Sequence, residues 1–557
     1  MKNSQNPSKG DVHLSFNRSD HGLNRVSGLD LLVKADRLMQ DGDFARAKKI
    51  YLKILNLGEK SHHLYNNLGV IFGMEGRSEK AIYCLRKAIK INSNRCDSYN
   101  NLGNCLQQVG RLREAIVCFQ KSLKIDPSQC SAYSNCGICY QEIGEPQKAI
   151  VFYKKALSIN PRTPEVYNNL GISLRDLGDF SSALKAYLSA VRIRKDYPEV
   201  CNNIGNLMQD NGNLGKAMRS YEKAISLRPS YAEAQNNLAM LELLHGNYFE
   251  GLNRYEYRLK CKSSIEFFKH MQGRLQWTGN LSSLPEKKLL VCAEQGLGDS
   301  IQFSRYILSL QQMGVNVIFV APRKLHSLLE ESGVSAKCVT HEEARNYSGE
   351  PWIPLLSIPR LLQVTPNNPL IQNQYLEPHS FWVEKWKKIL APMRGRLVGI
   401  NWEGNRSDNK KNDRNFSPAR LVEFINEVGL VAFSLQRGGV DEFKNLFKHD
   451  DDEFNLVQEQ MHALANSDSP EHFAEFSAMI KNLDLVITSA TTTSHLSGAM
   501  GVKTWTLVPM TPDWRWGLDG AESFWYKSMK IFRQSERKIW DKTVEDVCQA
   551  LRQKFMV

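Results

Sequence analysis

The sequence contains no apolar run approaching the roughly 20 residues that a membrane-spanning helix needs. Residues 1–27 are polar and lack an apolar core of leader-peptide length, so they predict a disordered lead-in and no secretory signal. These absences predict a cytoplasmic protein with no transmembrane segment. Paired cysteine spacing is also scarce. The twelve cysteines are scattered, and Cys136 and Cys139 form a CxxC without two further ligands nearby. They read as small core residues with reduced thiols, and no metal site is expected. No nucleic-acid-binding module and no long basic run accompany the net charge of +13. That charge therefore reads as a dispersed basic surface, and nucleic acid is not an expected partner.

What is present is length and internal repetition. A chain of 557 residues predicts two to four domains. Its 42% hydrophobic and 24% charged content is ordinary for globular protein. Asn67-Leu68-Gly69 returns at Asn101-Leu102-Gly103 and Asn169-Leu170-Gly171, with Asn135-Cys136-Gly137 between them, always in steps of 34. Asn203-Ile204-Gly205 and Asn237-Leu238-Ala239 continue the series. Alanines stand twelve residues after each of the five glycines, at Ala81, Ala115, Ala149, Ala183 and Ala217. Aromatic residues follow at Phe119, Tyr153, Tyr187 and Tyr221, and Pro127, Pro161 and Pro229 end their repeats.

This pattern resembles the tetratricopeptide repeat, or TPR, a pair of antiparallel helices per unit. The resemblance implies seven units over residues 28–265, stacked into an α superhelix because one unit cannot cover its own apolar face. Asn67, Asn101, Asn135, Asn169, Asn203 and Asn237 need a separate reason. Asparagine costs about 0.6 kcal/mol against alanine within a helix, so local propensity did not select it. In the repeat family this position faces the concave surface, where a row of amides can bind an extended peptide backbone. The row resembles the asparagine ladder of protein O-GlcNAc transferases. A harmless residue copied by duplication would leave the same series.

Residues 266–286 read as a connector. Beyond it, strands and helices alternate, which predicts parallel sheets covered by helices. KKLLVC and VNVIFVAP are strands of a first Rossmann-like domain, residues 287–392. RLVGINWEG, LVAFSLQ, LVITSA and KTWTLVP are strands of a second, residues 393–557. A ligand would bind outside the C-terminal strand ends.

The stretch AEQGLGDSIQFSRY, residues 293–306, joins a strand to a helix through glycines. It is neither of two common phosphate loops: Ile301 stands where GxGxxG needs glycine, and Asp299-Ser300 where a Walker loop needs lysine and a hydroxyl. The acidic run Asp450-Asp451-Asp452 reads as a solvated loop rather than a metal-holding Asp-x-Asp.

EQGLGDSIQFSRY, KNDRN at 411–415, TSHLSGAMG at 493–501 and PDWRW at 512–516 resemble, in their order, the heptosyltransferase-like glycosyltransferases of GT-B architecture. The resemblance implies a metal-independent, inverting transfer from a nucleotide-sugar, with no cofactor beyond that co-substrate. Asp299 matches the family's proposed base, and a helix-capping role competes for the same carboxylate. Lys411 and Arg414 match its phosphate-contacting segment, and His495 a histidine near the phosphates. Thr491 and Thr492, at a helix N-terminus after a strand, offer hydroxyls and N–H groups to a diphosphate. Gln436 is a candidate for base or ribose recognition. Trp514 and Trp516 could line the pocket or pack the core. Ala490 departs from the family, many of whose members carry aspartate there. The expected partner is a protein or peptide acceptor on the TPR concave face. Two rivals stand beside this reading: a non-catalytic TPR scaffold with a degenerate transferase domain, and a transferase acting on a glycan or lipid-linked acceptor with the repeats as docking module.

Overall fold

The structure, a computed structural model, describes residues 28–284, 288–404, 413–438, 445–448 and 451–555. Lys411, the lead-in 1–27 and Asp450 lie outside the described residues. The chain divides into two compact units, residues 1–207 and 208–557. The division falls inside the helix Pro198–Asp210, so the last repeats belong to the second unit.

In the first unit, helices alternate as A and B partners, from Gly28–Gln40 and Phe44–Asn56 to Pro164–Asp176 and Phe180–Ile193. Asp43, Ser61 and Asp179 accept from Arg46, Leu64 and Ser182 backbone N–H groups and fix three of the starts. The A–B packing explains the repeat residues. A Cβ on Gly103 would come within 2.6 Å of Phe119, and one on Gly137 within 2.6 Å of Tyr153. Gly171 meets Tyr187 in the same way. Each glycine therefore makes room for the aromatic ring of its B helix, and each ring is fully buried. Ala81, Ala115, Ala149 and Ala183 are also fully buried. Cys84 and Cys118 are one repeat position copied, as are Cys105 and Cys139, and all four are buried free thiols. Burial pushes Cys136 and Cys139 up to about 12, which keeps that CxxC protonated and unreactive.

In the second unit, the helices Leu214–Leu227, Ala232–Leu244 and Tyr248–Tyr255 complete the repeats. They share one apolar core with the α/β part: Tyr221, Leu238, Tyr248 and Tyr255 are buried with Phe303, Trp514 and Trp525. The Tyr248 ring meets Phe524 edge-on at 5.6 Å.

Two parallel sheets follow. The first contains β1 (Lys288–Cys292), β2 (Asn316–Val320), β3 (Cys338–Val339) and β4 (Trp352–Pro354), in the order β3-β2-β1-β4. The second contains β5 (Leu397–Asn401), β6 (Val431–Ser434), β7 (Leu485–Ser489), β8 (Thr504–Val508) and β9 (Met529–Arg533), in the order β6-β5-β7-β8-β9. Every residue of β5, β7 and β8 is buried, as strands covered on both faces must be.

Three elements depart from the sequence reading. β4 lies in the proline-bearing stretch, where Pro354 ends a strand of only three residues. β9, MKIFR, carries Lys530 and Arg533 three residues apart, which breaks the alternation expected of a strand, yet it pairs with β8 over five residues. The polar loop around the acidic run holds a fifteen-residue helix, Asp452–Asn466. Asp451 caps it, accepting from the Glu453 N–H at 2.9 Å, so the exposed Asp451 and Asp452 form a helix start rather than a loop.

Candidate functional site

The turn Gln295–Asp299 leaves β1 and enters the helix Leu297–Gln312. Glu294 is buried and bound in a fork to Arg258, with Arg258 Nη2 2.7 Å from its Oε1. Gln295 takes φ 66°, a left-handed conformation unusual for a side-chain-bearing residue. Its Nε2 donates to the Tyr255 hydroxyl at 2.8 Å. Asp299 sits in the first turn, two residues inside the helix start rather than at the cap itself. Its Oδ2 accepts from the Gly296 N–H at 3.1 Å, which satisfies one of the helix's orphan donors.

Asp299 has a second partner. Its Oδ1 lies 2.5 Å from Nη2 of Arg515, and Arg515 Nη1 lies 2.7 Å from Asp513 Oδ1. Burial acts to lower the Arg515 pKa, and Asp299 and then Asp513 more than reverse it, so the guanidinium stays charged. For Asp513 burial works to raise the pKa, and Arg515 holds it below the usual carboxylate range. The sequence reading passed over Arg515. Its position between the tryptophans of PDWRW was a visible signal, because an arginine inside an aromatic cluster requires compensation.

The second wall of the site is the helix Thr492–Ala499, which follows β7. Thr491 is its N-cap, yet the side chain makes no capping bond. Thr491 Oγ1 donates instead to Asn401 Oδ1 at 2.9 Å, at the end of β5. Asn401 Nδ2 donates to Gln436 Oε1 at 3.1 Å, beyond β6. Gln436, Asn401 and Thr491 thus run as one hydrogen-bonded chain across the C-terminal ends of β6, β5 and β7. Gln436 also accepts from the Trp402 and Glu403 N–H groups and donates to the Glu403 carbonyl, so its amide shapes the loop after β5. Arg414 Nη1 donates to the Ala490 carbonyl at 3.1 Å, beside the same helix start.

His495 is buried one turn inside that helix. Burial, then Arg515, pushes its pKa down to about 3, so the imidazole is neutral at physiological pH and brings no charge to a phosphate. Its Nδ1 lies 3.1 Å from the Tyr526 hydroxyl, and its ring stacks on Trp516 at 5.1 Å. Trp514 and Trp516 are both buried. The two walls touch: a Cβ on Gly298 would lie 3.0 Å from His495 Cδ2 and 3.5 Å from Thr492 Cα. Gln302, on the next turn of the Leu297 helix, is fully buried, and neither polar atom of its amide has a hydrogen-bond partner. Asp299, Arg414, Thr491, Thr492 and His495 are therefore gathered around one helix N-terminus, with Arg515 added. A separate depression of about 710 Å³ at the end of β3, lined by Arg323, Thr340, His341 and Arg345 among others, includes none of them.

The six ladder asparagines are all half-buried, each on an A helix. Asn101 Nδ2 donates to Asn66 Oδ1 at 3.1 Å, Asn135 Nδ2 to Asn104 Oδ1 at 2.8 Å and Asn203 Nδ2 to Asn168 Oδ1 at 2.8 Å. Each of these bonds crosses from one repeat to the one before. Asn67 Nδ2 donates to the Tyr51 hydroxyl at 3.0 Å, and Asn169 Oδ1 accepts from Asn168 at 3.3 Å. Asn237 lies on the Ala232–Leu244 helix in the second unit. The paired asparagines Asn66-Asn67 and Asn168-Asn169 were legible in the sequence, and the reading took up one of each pair.

Comparison with known proteins agrees with the repeats. The Tetratricopeptide repeat family matches residues 94–162, 62–95 and 198–231, and the TPR repeat family matches 173–212. The chain therefore carries a tetratricopeptide-repeat solenoid, a module of the protein-interaction class, followed by two parallel-sheet α/β regions. Protein FlbA of Caulobacter vibrioides is 26% identical over 299 residues, 50% of this chain and 48% of FlbA. The chain spans about half the length of that relative. Among solved structures, MamA is 23% identical, with 31% of this chain and 94% of MamA covered and a TM-score of 0.29. YrrB, described as a TPR protein with an unusual peptide-binding site, is 20% identical over 33% of this chain and 95% of YrrB, with a TM-score of 0.30. The C-terminal part of a TPR repeat-containing protein from Cytophaga hutchinsonii is 17% identical over 42% of this chain and 98% of that one, with a TM-score of 0.35. Among the described residues no helix is long and apolar enough to cross a membrane, and no group of three or more metal-ligating side chains is present.

Proposed function

We propose that the chain is a metal-independent, inverting glycosyltransferase of GT-B type that moves a sugar from a nucleotide-sugar to a protein acceptor held by the repeats. The observation that carries this reading is the convergence of Asp299 and two arginines on the helix N-terminus at Thr492. Two parallel-sheet regions supply the helices that meet there, at the C-terminal strand ends where such folds bind ligands. In the proposed reaction the Asp299 carboxylate takes the acceptor hydroxyl proton. The acceptor oxygen forms a bond to the anomeric carbon as the bond to the diphosphate breaks, and the electron pair leaves with phosphate. Lys411, Arg414 and the N–H groups around Thr491 and Thr492 would neutralise that leaving group. The twelve thiols, all free in the structure, fit the cytoplasm as the working compartment.

In the repeats, each asparagine amide has two N–H donors and two acceptor lone pairs. The inter-repeat bonds of Asn101, Asn135 and Asn203 each use one amide N–H, and a peptide backbone would be bound through the remaining groups of those three.

A second reading has its own support. Asp299 already serves the Gly296 N–H and Arg515, and Ala490 occupies the place of an aspartate common in the resembling family. Both favour a TPR scaffold with a degenerate transferase domain. Incubating the full chain with a panel of radiolabelled nucleotide-sugars in EDTA, with lysate proteins as acceptors, separates the two. Label transferred to protein supports the enzyme, and label on a glycan or lipid would move the acceptor class. No transfer and no donor hydrolysis from any sugar would leave the scaffold.

A further inference from the structure

Arg515 stands between two carboxylates with a side chain only 7% exposed. Trp514 lies 4.6 Å and Phe303 5.4 Å from its guanidinium carbon. Its charge is matched by Asp299 and Asp513, but its hydrogen bonds are not. Nε has no hydrogen-bond partner, and the Nη2 approach to Asp299 falls outside hydrogen-bond angles. A buried arginine in a settled structural role has its fork satisfied. Arg258, bound to Glu294, Glu256, Ser357 and the Tyr255 carbonyl, is the example within this chain.

The surroundings of this guanidinium suit an anion. Gly298, beside Asp299, touches Thr492 at the start of a helix that lacks a side-chain cap. Arg305 is spent on the carbonyls of Ile371 and Trp525 and the Tyr375 hydroxyl, and His495 is neutral, so neither supplies charge. Among the described residues, Arg515 stands beside Asp299 and Asp513, and Arg414 donates to the Ala490 carbonyl next to the Thr492 helix start.

We propose that Arg515 is an exchangeable counter-cation, held by Asp299 and Asp513 in this structure and drawn to the diphosphate of a nucleoside diphosphate ligand at the Thr492 helix, which releases Asp299. The inference rests on the donor-site reading above. Ion pairs exchange in this step and no covalent bond changes. Two consequences follow. Asp299 competes with the anion for Arg515, and a nucleotide-sugar must enter before an acceptor hydroxyl can reach a free carboxylate.

The test is calorimetric titration of the full chain with inorganic pyrophosphate and with UDP, GDP, ADP and CDP in turn. Asp299→Asn keeps an acceptor for the Gly296 N–H but removes the rival charge, and should bind the anion about tenfold more tightly. Arg515→Gln should bind at least tenfold more weakly, with partial rescue in Arg515→Lys. In the double variant the gain from Asp299→Asn should vanish. Simple loss of packing does not produce tighter binding. Unchanged or weaker binding by Asp299→Asn, or a double variant that keeps the gain, would overturn the exchange while leaving the donor site in place. Should Arg515→Gln fail to fold, Asp299→Asn and Arg515→Lys still decide. No binding of any of these anions by the wild type or Asp299→Asn would remove the exchange and the donor-site reading together.

Discussion

Gly298 packs directly on His495, so close that an added Cβ would lie 3.0 Å from the ring carbon Cδ2. The contact joins the helix after β1 to the helix after β7, and glycine is what permits it. Gly298→Ala should make the His495 ring or the facing helix give by a few tenths of an ångström, at a cost of about 1–3 kcal/mol. Urea unfolding followed by tryptophan fluorescence reads this cleanly, because all ten tryptophans lie beyond residue 207. An unchanged midpoint would mean that the helices can shift freely.

His495 predicts a pH dependence. Its folded pKa of about 3 lies below the ordinary value of 6.5, so the unfolded chain binds the proton more readily. The stability from keeping it neutral is present above pH 6.5 and is lost as pH falls from there toward 3. His495→Asn removes that titration. Between pH 7.5 and 5.5 the wild type should lose about 1.4 kcal/mol more than the variant. Equal losses, read from the same fluorescence midpoint, would contradict the buried neutral imidazole.

Arg258 and Glu294 form a buried pair that fixes the start of the Gln295–Asp299 turn. Arg258→Met strands a buried carboxylate and should destabilise the second unit by about 3–5 kcal/mol. The double change Arg258→Met with Glu294→Gln removes both charges and should recover much of that loss. A double variant no better than the single would show that packing, not the stranded charge, sets the cost.

In the repeats, Gly137→Ala drives a methyl into the Tyr153 ring, which has no free space beside it. The expected loss is about 1–3 kcal/mol, seen as earlier melting of helix by circular dichroism. Gly144→Ala is a useful contrast, since no atom lies within 4 Å and strain arises instead from its φ of 80°. A tolerated Gly137→Ala would sink the ring-in-glycine account of the repeat.

Legibility differed between the two parts for a physical reason. Gly137 and Tyr153 meet within one helical pair, so spacing alone reveals their contact. Strand β9 has no such local signature. Only its ladder with β8, from Thr504 opposite Met529 to Val508 opposite Arg533, makes MKIFR a strand. Gln436 was visible as the residue after a strand, but what its amide holds depends on the loop after β5.

By itself the sequence determined the repeats and the alternation of strands and helices, because both rest on periodicity within a few turns of chain. The tertiary structure decided what Asp299 touches. A carboxylate in the first turn of a helix reads as cap or base from sequence, and both readings are local. Its ion pair with Arg515 is not local: it exists because the helices after β1 and β7 close on each other and carry PDWRW to the Gly-Leu-Gly-Asp turn. Buried charges must find partners wherever the fold brings them, and that choice is made by packing rather than by spacing.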